Sequence, residues 1–468
     1  MQRKTHLSLA GAFLLCTALT ACGGGASGSQ RNKRGGLKVL TYLTSADSVA
    51  YTTVLNKVIS DFNAIIEPEG YKIETETPGD SYYTSLANKF SSRNAPDIFM
   101  MEEGSYNGFS DLLLPLDEFL DSSEKLHRSD LWDLNNFYRN KNGKLTCLIK
   151  DFSPDFMLIY NKSVLNAYNE AHPGKQFTIS ETEPMSWSEY YEMCSTIQKE
   201  MGLEYGSSLG FEGVKHLHEL VQSTGSSMYI NDDTNVNKSD ANVQAAFKLF
   251  CALQKDKAEE FPEYYNLNAF RAADGKQEGK APGSYTSGSQ TSEQQLFIQG
   301  RCFSIFNGLY AFASYDFYGI NNFEYGIAPH PVMDKSKGAF GTTSAMVSHA
   351  ISKTTKYKDI AWRFLEYYQT TGIEQFAKIA YNIPGNKTIA GSDNFLKNDN
   401  PKVEYLANYF YNFVNSGACT YTIYNSKISY DVIQTNFNSQ LAKYYDGRLN
   451  FSTLLNEIDT AIHNSAIL

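Results

Sequence analysis

An α/β body of two lobes is what this sequence predicts, and three observations carry the prediction. A chain of 468 residues, even without its N-terminal leader, is too long for one small core. Its first hundred-odd positions alternate strand-like and helix-like periods in the order β-α-β-α-β. A second α/β alternation follows, without an internal repeat.

The leader opens the chain. Arg3 and Lys4 precede an uncharged apolar run, LSLAGAFLLCTALT over residues 7–20. That is a secretory pattern, and it is shorter than the ~20 apolar residues a membrane span needs. Leu19, Thr20, Ala21 and Cys22 end it in a sequence that resembles the bacterial lipobox. The resemblance implies cleavage after residue 21 and lipidation of Cys22, each buried lipid CH₂ contributing about 0.8 kcal/mol to anchoring. Residues 22–36 then form a Gly/Ser-rich tether with a root-mean-square span of roughly 20 Å. No later stretch is long and apolar enough to cross a bilayer. The expected location is extracytoplasmic, with the body anchored by lipid to the cell membrane.

Lys and Arg number 41 against 51 Asp and Glu, a net charge of −10, and loss of Arg3 and Lys4 makes the body more acidic. Nucleic acid rewards clustered cations, so the balance argues against it. Besides Cys16 and Cys22, five cysteines are widely spaced at 147, 194, 251, 302 and 419. Without a CxxC pair, zinc and redox motifs are not expected. An odd count leaves at least one thiol free; the reading favours buried thiols, with room for one disulfide that spacing does not assign.

The elements follow in order. Residues 37–43 read LKVLTYL, a buried strand. Residues 49–66 carry Val54, Leu55, Val58, Ile59 and Phe62 at helical spacing. Strands at 71–77 and 97–101 enclose a helix at 80–91. In such open sheets ligands sit beyond the carboxyl ends of the strands, here the loops at 44–48 and 102–107. Further on, a strand is expected at 155–160 and a helix at 187–201, its start marked by Ser186 and Glu189 as a capping box. A helix at 242–256, a polar loop at 266–292, a helix at 293–299 and strands at 302–306 and 325–328 come next. A helix at 356–370 and a mainly helical tail from 406 complete the chain.

Other chemistries find little support. His216 and His218, with Glu212 and Glu219 nearby, imitate metal ligands, but HxH on a helix does not put both rings on one face. Asp233, Asn235 and Asn237 imitate a calcium loop that lacks its central glycine and closing glutamate. No metal and no cofactor are expected, and no Walker loop, GxSxG elbow or HExxH is present.

Several segments in order resemble the extracellular solute-binding proteins of ABC importers, in the maltose-type, carbohydrate-binding branch. They are APDIFMMEEGSYNGFSDLLLPLDEFL (95–120), LIYNKSVL (158–165), MSWSEYYEMCSTIQ (185–198), FIQGRCFSIFNGLYAF (297–312), YGIAPHPV (325–332), IAWRFLEYYQTTGIEQFAKIAYNIPGNK (360–387) and FSTLLNEIDTAI (451–462). Tyr310 stands where the family often has tryptophan. The resemblance implies a type II, periplasmic-binding-protein-like fold: two α/β lobes with a hinge of three crossings near 150, 325 and 383. Lobe 1 would comprise 37–150 with 326–383, and lobe 2 would comprise 151–325 with 384–468. A small solute, expected to be a sugar, would bind between the lobes of a monomer and pass to membrane-embedded permease subunits.

Candidate ligand residues follow from these placements. Glu102, Glu103 and Ser105 lie after the third strand, where carboxylates can take vicinal hydroxyls. Tyr42, Ser45 and Asp47 lie at the end of the first. Asp151 and Asp155 stand at the first crossing, facing the cleft or capping the hinge. Phe211 and Glu212 follow a strand-like YGSSLGF. Asn307 and Tyr310 match the family's second-lobe position, with Tyr310 as a stacking face. Gly341 and Thr342 could offer backbone donors; Tyr424 and Tyr430 are secondary candidates, and Trp187 is expected to be structural. The competing classes are a lipid-anchored carbohydrate-active enzyme, because carboxylates are plentiful, and a binder of peptides or polyamines.

Overall fold

The computed structural model describes residues 33–34, 36–45, 49–78, 81–208, 213–230, 234–254, 260–261, 293–337, 342–379, 382–417, 419–421 and 430–467. The leader, Cys22 and the 266–292 loop lie outside them.

The chain folds as mixed α/β around two principal sheets. In the first, strand Leu37–Leu43 pairs in parallel with Tyr71–Glu76 and with Ile98–Glu102. Helices Val49–Ile66 and Tyr82–Ser91 make the connections. The former buries Leu55, Val58, Ile59, Phe62 and Ile66 at i, i+3, i+4 spacing. The sheet then departs from the parallel expectation. A ten-residue strand, Thr342–Ile351, runs antiparallel between Ile98–Glu102 and Cys147–Pro154. Neither of these two long strands is apparent as an apolar run. Thr342–Ile351 buries Ser344, Ser348 and His349, and Cys147–Pro154 buries Lys150, Asp151 and Ser153.

The second sheet has the order Tyr325–Ala328, Met157–Asn161, Cys302–Asn307, Tyr205–Ser208. Helix Trp187–Met201 covers it. Its start is the predicted capping box: the Ser186 side chain accepts from the Glu189 amide, and Glu189 reciprocates. Trp187 is buried, its ring packed on Tyr190, Phe306 and His330. The structural role expected for it is the one observed.

The two sheets are joined through two residues, Asp155 and Phe156. Strand Cys147–Pro154 stays in the first sheet throughout, so this crossing lies beyond the expected boundary near 150. The second passage runs between strands Tyr325–Ala328 and Thr342–Ile351. The third begins after Ile383–Pro384, which pairs with Phe152 and Asp151. There Gly385 presses on the strand beneath it; a Cβ would fall 1.8 Å from the Ile149 carbonyl oxygen, so only glycine allows this approach. The tail packs on both sheets. Helix Pro401–Asn415 buries Val403, Leu406 and Phe410 in a cluster that takes in residues of both, among them Phe152 of the first and Ile159 and Ile305 of the second. Helices Tyr430–Tyr445 and Phe451–Ile467 pack Ile433, Phe437, Leu454 and Ile458 into the cluster on the other face of the second sheet.

Cys147, Cys194, Cys251 and Cys302 are buried thiols. Burial pushes Cys194 up to about 12 and Cys147 higher still, so neither is a nucleophile at neutral pH.

A pH dependence follows from the second core. His330 is fully buried, with its Nε2 3.3 Å from His216 Nε2 and 3.6 Å from Glu219 Oε2. Burial holds it down to about 3, below its usual 6.5. Above pH 6.5 folded and unfolded chains are both neutral there. As pH falls through 6.5 the unfolded chain gains a proton that the folded one refuses, so stability declines until pH nears 3. The slope approaches about 1.4 kcal/mol per pH unit. Between pH 6.5 and 5.5 the loss from His330 is about 1 kcal/mol. Urea unfolding across this range should be less pH-dependent in His330→Phe than in the parent.

Candidate interlobe binding site

The short Asp155–Phe156 link makes the two sheets face one another edge to edge. In the first sheet, the carboxyl ends of Leu37–Leu43, Ile98–Glu102 and Cys147–Pro154 share an edge with the start of Thr342–Ile351, because Ser344 pairs with Pro154 and Val347 with Glu102. In the second, Asn307 pairs with Met157 and Ala328 with Leu158, so the strand ends there abut the same link. Phe156, with φ +53°, turns the chain in the left-handed region that costs a non-glycine residue about 1–2 kcal/mol. Its buried ring against His216, 5.5 Å away, helps hold it there.

Glu103 opens a short 3-10 turn, Glu103–Ser105, and both residues are buried. One Glu103 oxygen accepts from the Met346 amide at 2.9 Å, which ties the turn to the long antiparallel strand. The other lies 3.7 Å from Lys215 Nζ. Lys215 comes from helix Gly213–Gln222 and also approaches Asp155 Oδ2 at 3.9 Å. A second-lobe lysine thus stands between a first-lobe carboxylate and one on the crossing. Sequence reasoning overlooked Lys215, because a lysine on an amphipathic helix reads as solvated. Glu103 also bears on Tyr138: burial first, then that negative charge, pushes the phenol up and keeps it neutral.

Asn307 ends its strand buried, its side-chain oxygen accepting from the Gly308 amide at 3.0 Å. Gly308 sits against the opposite edge, where a Cβ would meet Ser153 Oγ at 2.7 Å and the Pro154 carbonyl at 2.8 Å. The Leu309 amide donates to Ser153 Oγ at 2.8 Å. Tyr310 follows at the start of helix Tyr310–Ser314, half-buried. Glu103, Ser105, Asp155, Asn307 and Tyr310 therefore flank the junction of the two edges.

Other candidates fall elsewhere. Tyr42 is corrected: its ring is fully buried among His349 and Phe364, and its hydroxyl bonds His349 Nε2 at 2.8 Å. A strand buried on both faces gives its tyrosine to the core. Asp151 is also corrected toward the hinge. It pairs with the buried Lys150 and accepts from Asn382 Nδ2 at 3.0 Å. Lys150 lies 4.5 Å above the Tyr51 ring. Glu102 is exposed at its strand end, where its amide donates to Tyr83 Oη. Ser45 is half-buried near Met100 Sδ. Thr342 starts the long strand and pairs with Cys419. Tyr430 begins a helix. Asp47, Phe211, Glu212, Gly341 and Tyr424 lie outside the described residues. His218 lies 3.4 Å from Tyr229 Oη in the second core, and among the described residues no group of His, Cys, Asp or Glu is arranged to hold a metal.

Solved structures share this architecture. An ABC substrate-binding protein of Listeria monocytogenes in complex with cycloalternan aligns with a TM-score of 0.69 and 16% identity, over 91% of this chain and 98% of that one. A Thermotoga lettingae ABC transporter solute-binding protein bound with α-D-tagatose aligns with a TM-score of 0.65 and 17% identity, over 92% and 100%. Maltose-bound MalE3 of T. maritima aligns with a TM-score of 0.66 and 15% identity, over 91% and 98%. No curated protein sequence gives a significant match. The model of bacterial extracellular solute-binding proteins matches residues 46–375, most of the chain, which therefore belongs to that family.

Proposed function

We propose that this protein captures a sugar or oligosaccharide between its lobes and delivers it to the permease of an ABC importer. The observation that carries the reading is the junction of the two sheet edges. Carboxylates (Glu103, Asp155), an amide (Asn307) and an aromatic ring (Tyr310) converge there from both sides. Carboxylates take paired hydroxyls, the ring takes the apolar face of a pyranose, and closure removes water from both at once. The structural relatives carry cycloalternan, tagatose and maltose, which supports a carbohydrate guest. A ligand favours the closed form only through contacts it gains there, and Lys215, reaching from the second lobe toward Glu103, is placed to change partners with closure. The hinge comprises the three crossings, and the protein binds its guest without transforming it.

Calorimetry with mono- and oligosaccharides, peptides and polyamines should return a one-to-one saccharide complex. A tight peptide or polyamine complex, with no saccharide bound, would overturn the carbohydrate reading. Incubation with labelled oligosaccharides should leave them intact; released product would make the protein an enzyme. Anchoring is separable. Cys22→Ala should move the protein from the membrane to the soluble extracytoplasmic fraction, seen by fractionation and immunoblot.

A further inference from the structure

A second concave site lies away from the interlobe junction and shares none of its residues. It is a groove of about 880 Å³ between the segment Glu181–Glu183 and helix Pro401–Asn415, within the size range of small-molecule sites. Along one side of the helix, Tyr405, Tyr409 and Phe413 recur every fourth residue and so share one face, Tyr405 exposed, Tyr409 half-buried and Phe413 buried at its inner end. Their ring centroids are 6.3 Å apart at both steps, and the Tyr409 and Phe413 planes differ by only 11°.

Two of the rings are fixed in place. Tyr405 Oη donates to Glu181 Oε1 at 2.8 Å, and Tyr409 Oη donates to the Glu181 carbonyl at 2.9 Å. Tyr405 nevertheless remains 37% exposed, so its ring is open to solvent. Amide and carboxylate side chains border the rings: Asn398, Asn408, Asn412, Glu183 and Asp399. Among the described lining residues Lys397 is the one cation, and it pairs with Glu404 at 3.1 Å. Four carboxylates stand among those residues, so the field disfavours anions such as sugar phosphates and uronates.

We infer that this groove is a second saccharide site, taking a neutral oligosaccharide of two or three rings along the Tyr405–Tyr409 pair. The step between Tyr405 and Tyr409 is of the order of one sugar unit, so two successive pyranoses can each rest on an aromatic face. Their hydroxyls then meet the amides and carboxylates at the border. Preset ring orientation lowers the ordering cost of binding. The inference does not depend on the interlobe reading.

The test uses the mature chain labelled with 3-fluorotyrosine. Tyr405→Phe and Tyr409→Phe assign the two ¹⁹F resonances. An Asp155→Ala/Tyr310→Ala background removes interlobe binding, so the two sites are read apart. Maltotriose, cellotriose and chitotriose are titrated separately. At least one should shift both resonances with a Kd of order 1 mM or tighter. Tyr405→Ala should weaken that binding about tenfold or more, and Tyr405→Trp should retain it. Because Tyr405 is exposed, its replacement leaves the fold intact, as circular dichroism would show. No shift with any trisaccharide at concentrations about tenfold above that Kd, or an unchanged titration in Tyr405→Ala, overturns the inference. Shifts produced by spermidine and by no sugar would overturn it equally.

Discussion

Asp151→Ala is expected to lower the unfolding free energy by about 3–5 kcal/mol, the usual cost of stripping one partner from a buried ion pair. Lys150 is 1% exposed and Asp151 5%. The carboxylate accepts from Lys150 through Oδ2 and from Asn382 through Oδ1. Removing it leaves an ammonium buried beside the Tyr51 ring without that carboxylate. The same carboxylate sits where the first and third crossings pair, Pro384 against Asp151. The loss should therefore appear both in urea unfolding and as faster proteolysis at the crossings. Lys150→Met should cost less, because a methionine fills the volume and the carboxylate keeps its Asn382 bond. The double variant Lys150→Met/Asp151→Leu should recover much of the deficit, since an apolar pair of similar size often matches a buried ion pair. A double-mutant cycle isolates the coupling. An Asp151→Ala loss under about 1 kcal/mol would show that the pair is solvated and that the hinge does not depend on it.

The expected and observed elements agree where apolar periodicity is strong. Leu37–Leu43, Val49–Ile66, Trp187–Met201 and Tyr325–Ala328 have the predicted bounds. Agreement fails in the middle of the first sheet. Strand Thr342–Ile351 reads TTSAMVSHAI, and its buried positions are satisfied by strand pairing on both sides rather than by apolar side chains. A strand shielded on both faces has no solvent-facing alternate, so no period of two appears. That same strand supplies the Met346 amide that anchors Glu103, so part of the site was hidden with it. Tyr42 failed for the related reason: nearness to a strand's carboxyl end does not say which way a ring points. Lys215 was hidden by distance along the chain, since only folding brings it near Glu103 and Asp155. Asn307 and Tyr310 were legible only through the family pattern; nothing in their local spacing sets them apart.

Asp155→Ala should reduce affinity for the best saccharide roughly 100-fold, about 2.8 kcal/mol, the scale of one or two hydrogen bonds to a charged acceptor. Among the described residues, Asp155 is the one candidate carboxylate placed between the two sheets rather than at the end of either. It is 6% exposed, and the Lys215 ammonium lies 3.9 Å away. A guest clamped between the edges must pass this residue, and closure strengthens each bond it makes by excluding water. The substitution also takes an anion from beside Lys215, while Glu103 stays at 3.7 Å. Lys215→Met should therefore lower affinity as well, by about tenfold, and the two losses should not add, because the residues act on one another. Asp155→Asn keeps the shape and one acceptor, so its loss should fall between the parent and Asp155→Ala. Calorimetry on the parent, the three single variants and the Asp155→Ala/Lys215→Met double variant gives the comparison, with unfolding curves to show that each is folded. If folded Asp155→Ala keeps its affinity within about threefold, the guest does not touch the crossing, and the site must be moved to one lobe or the other.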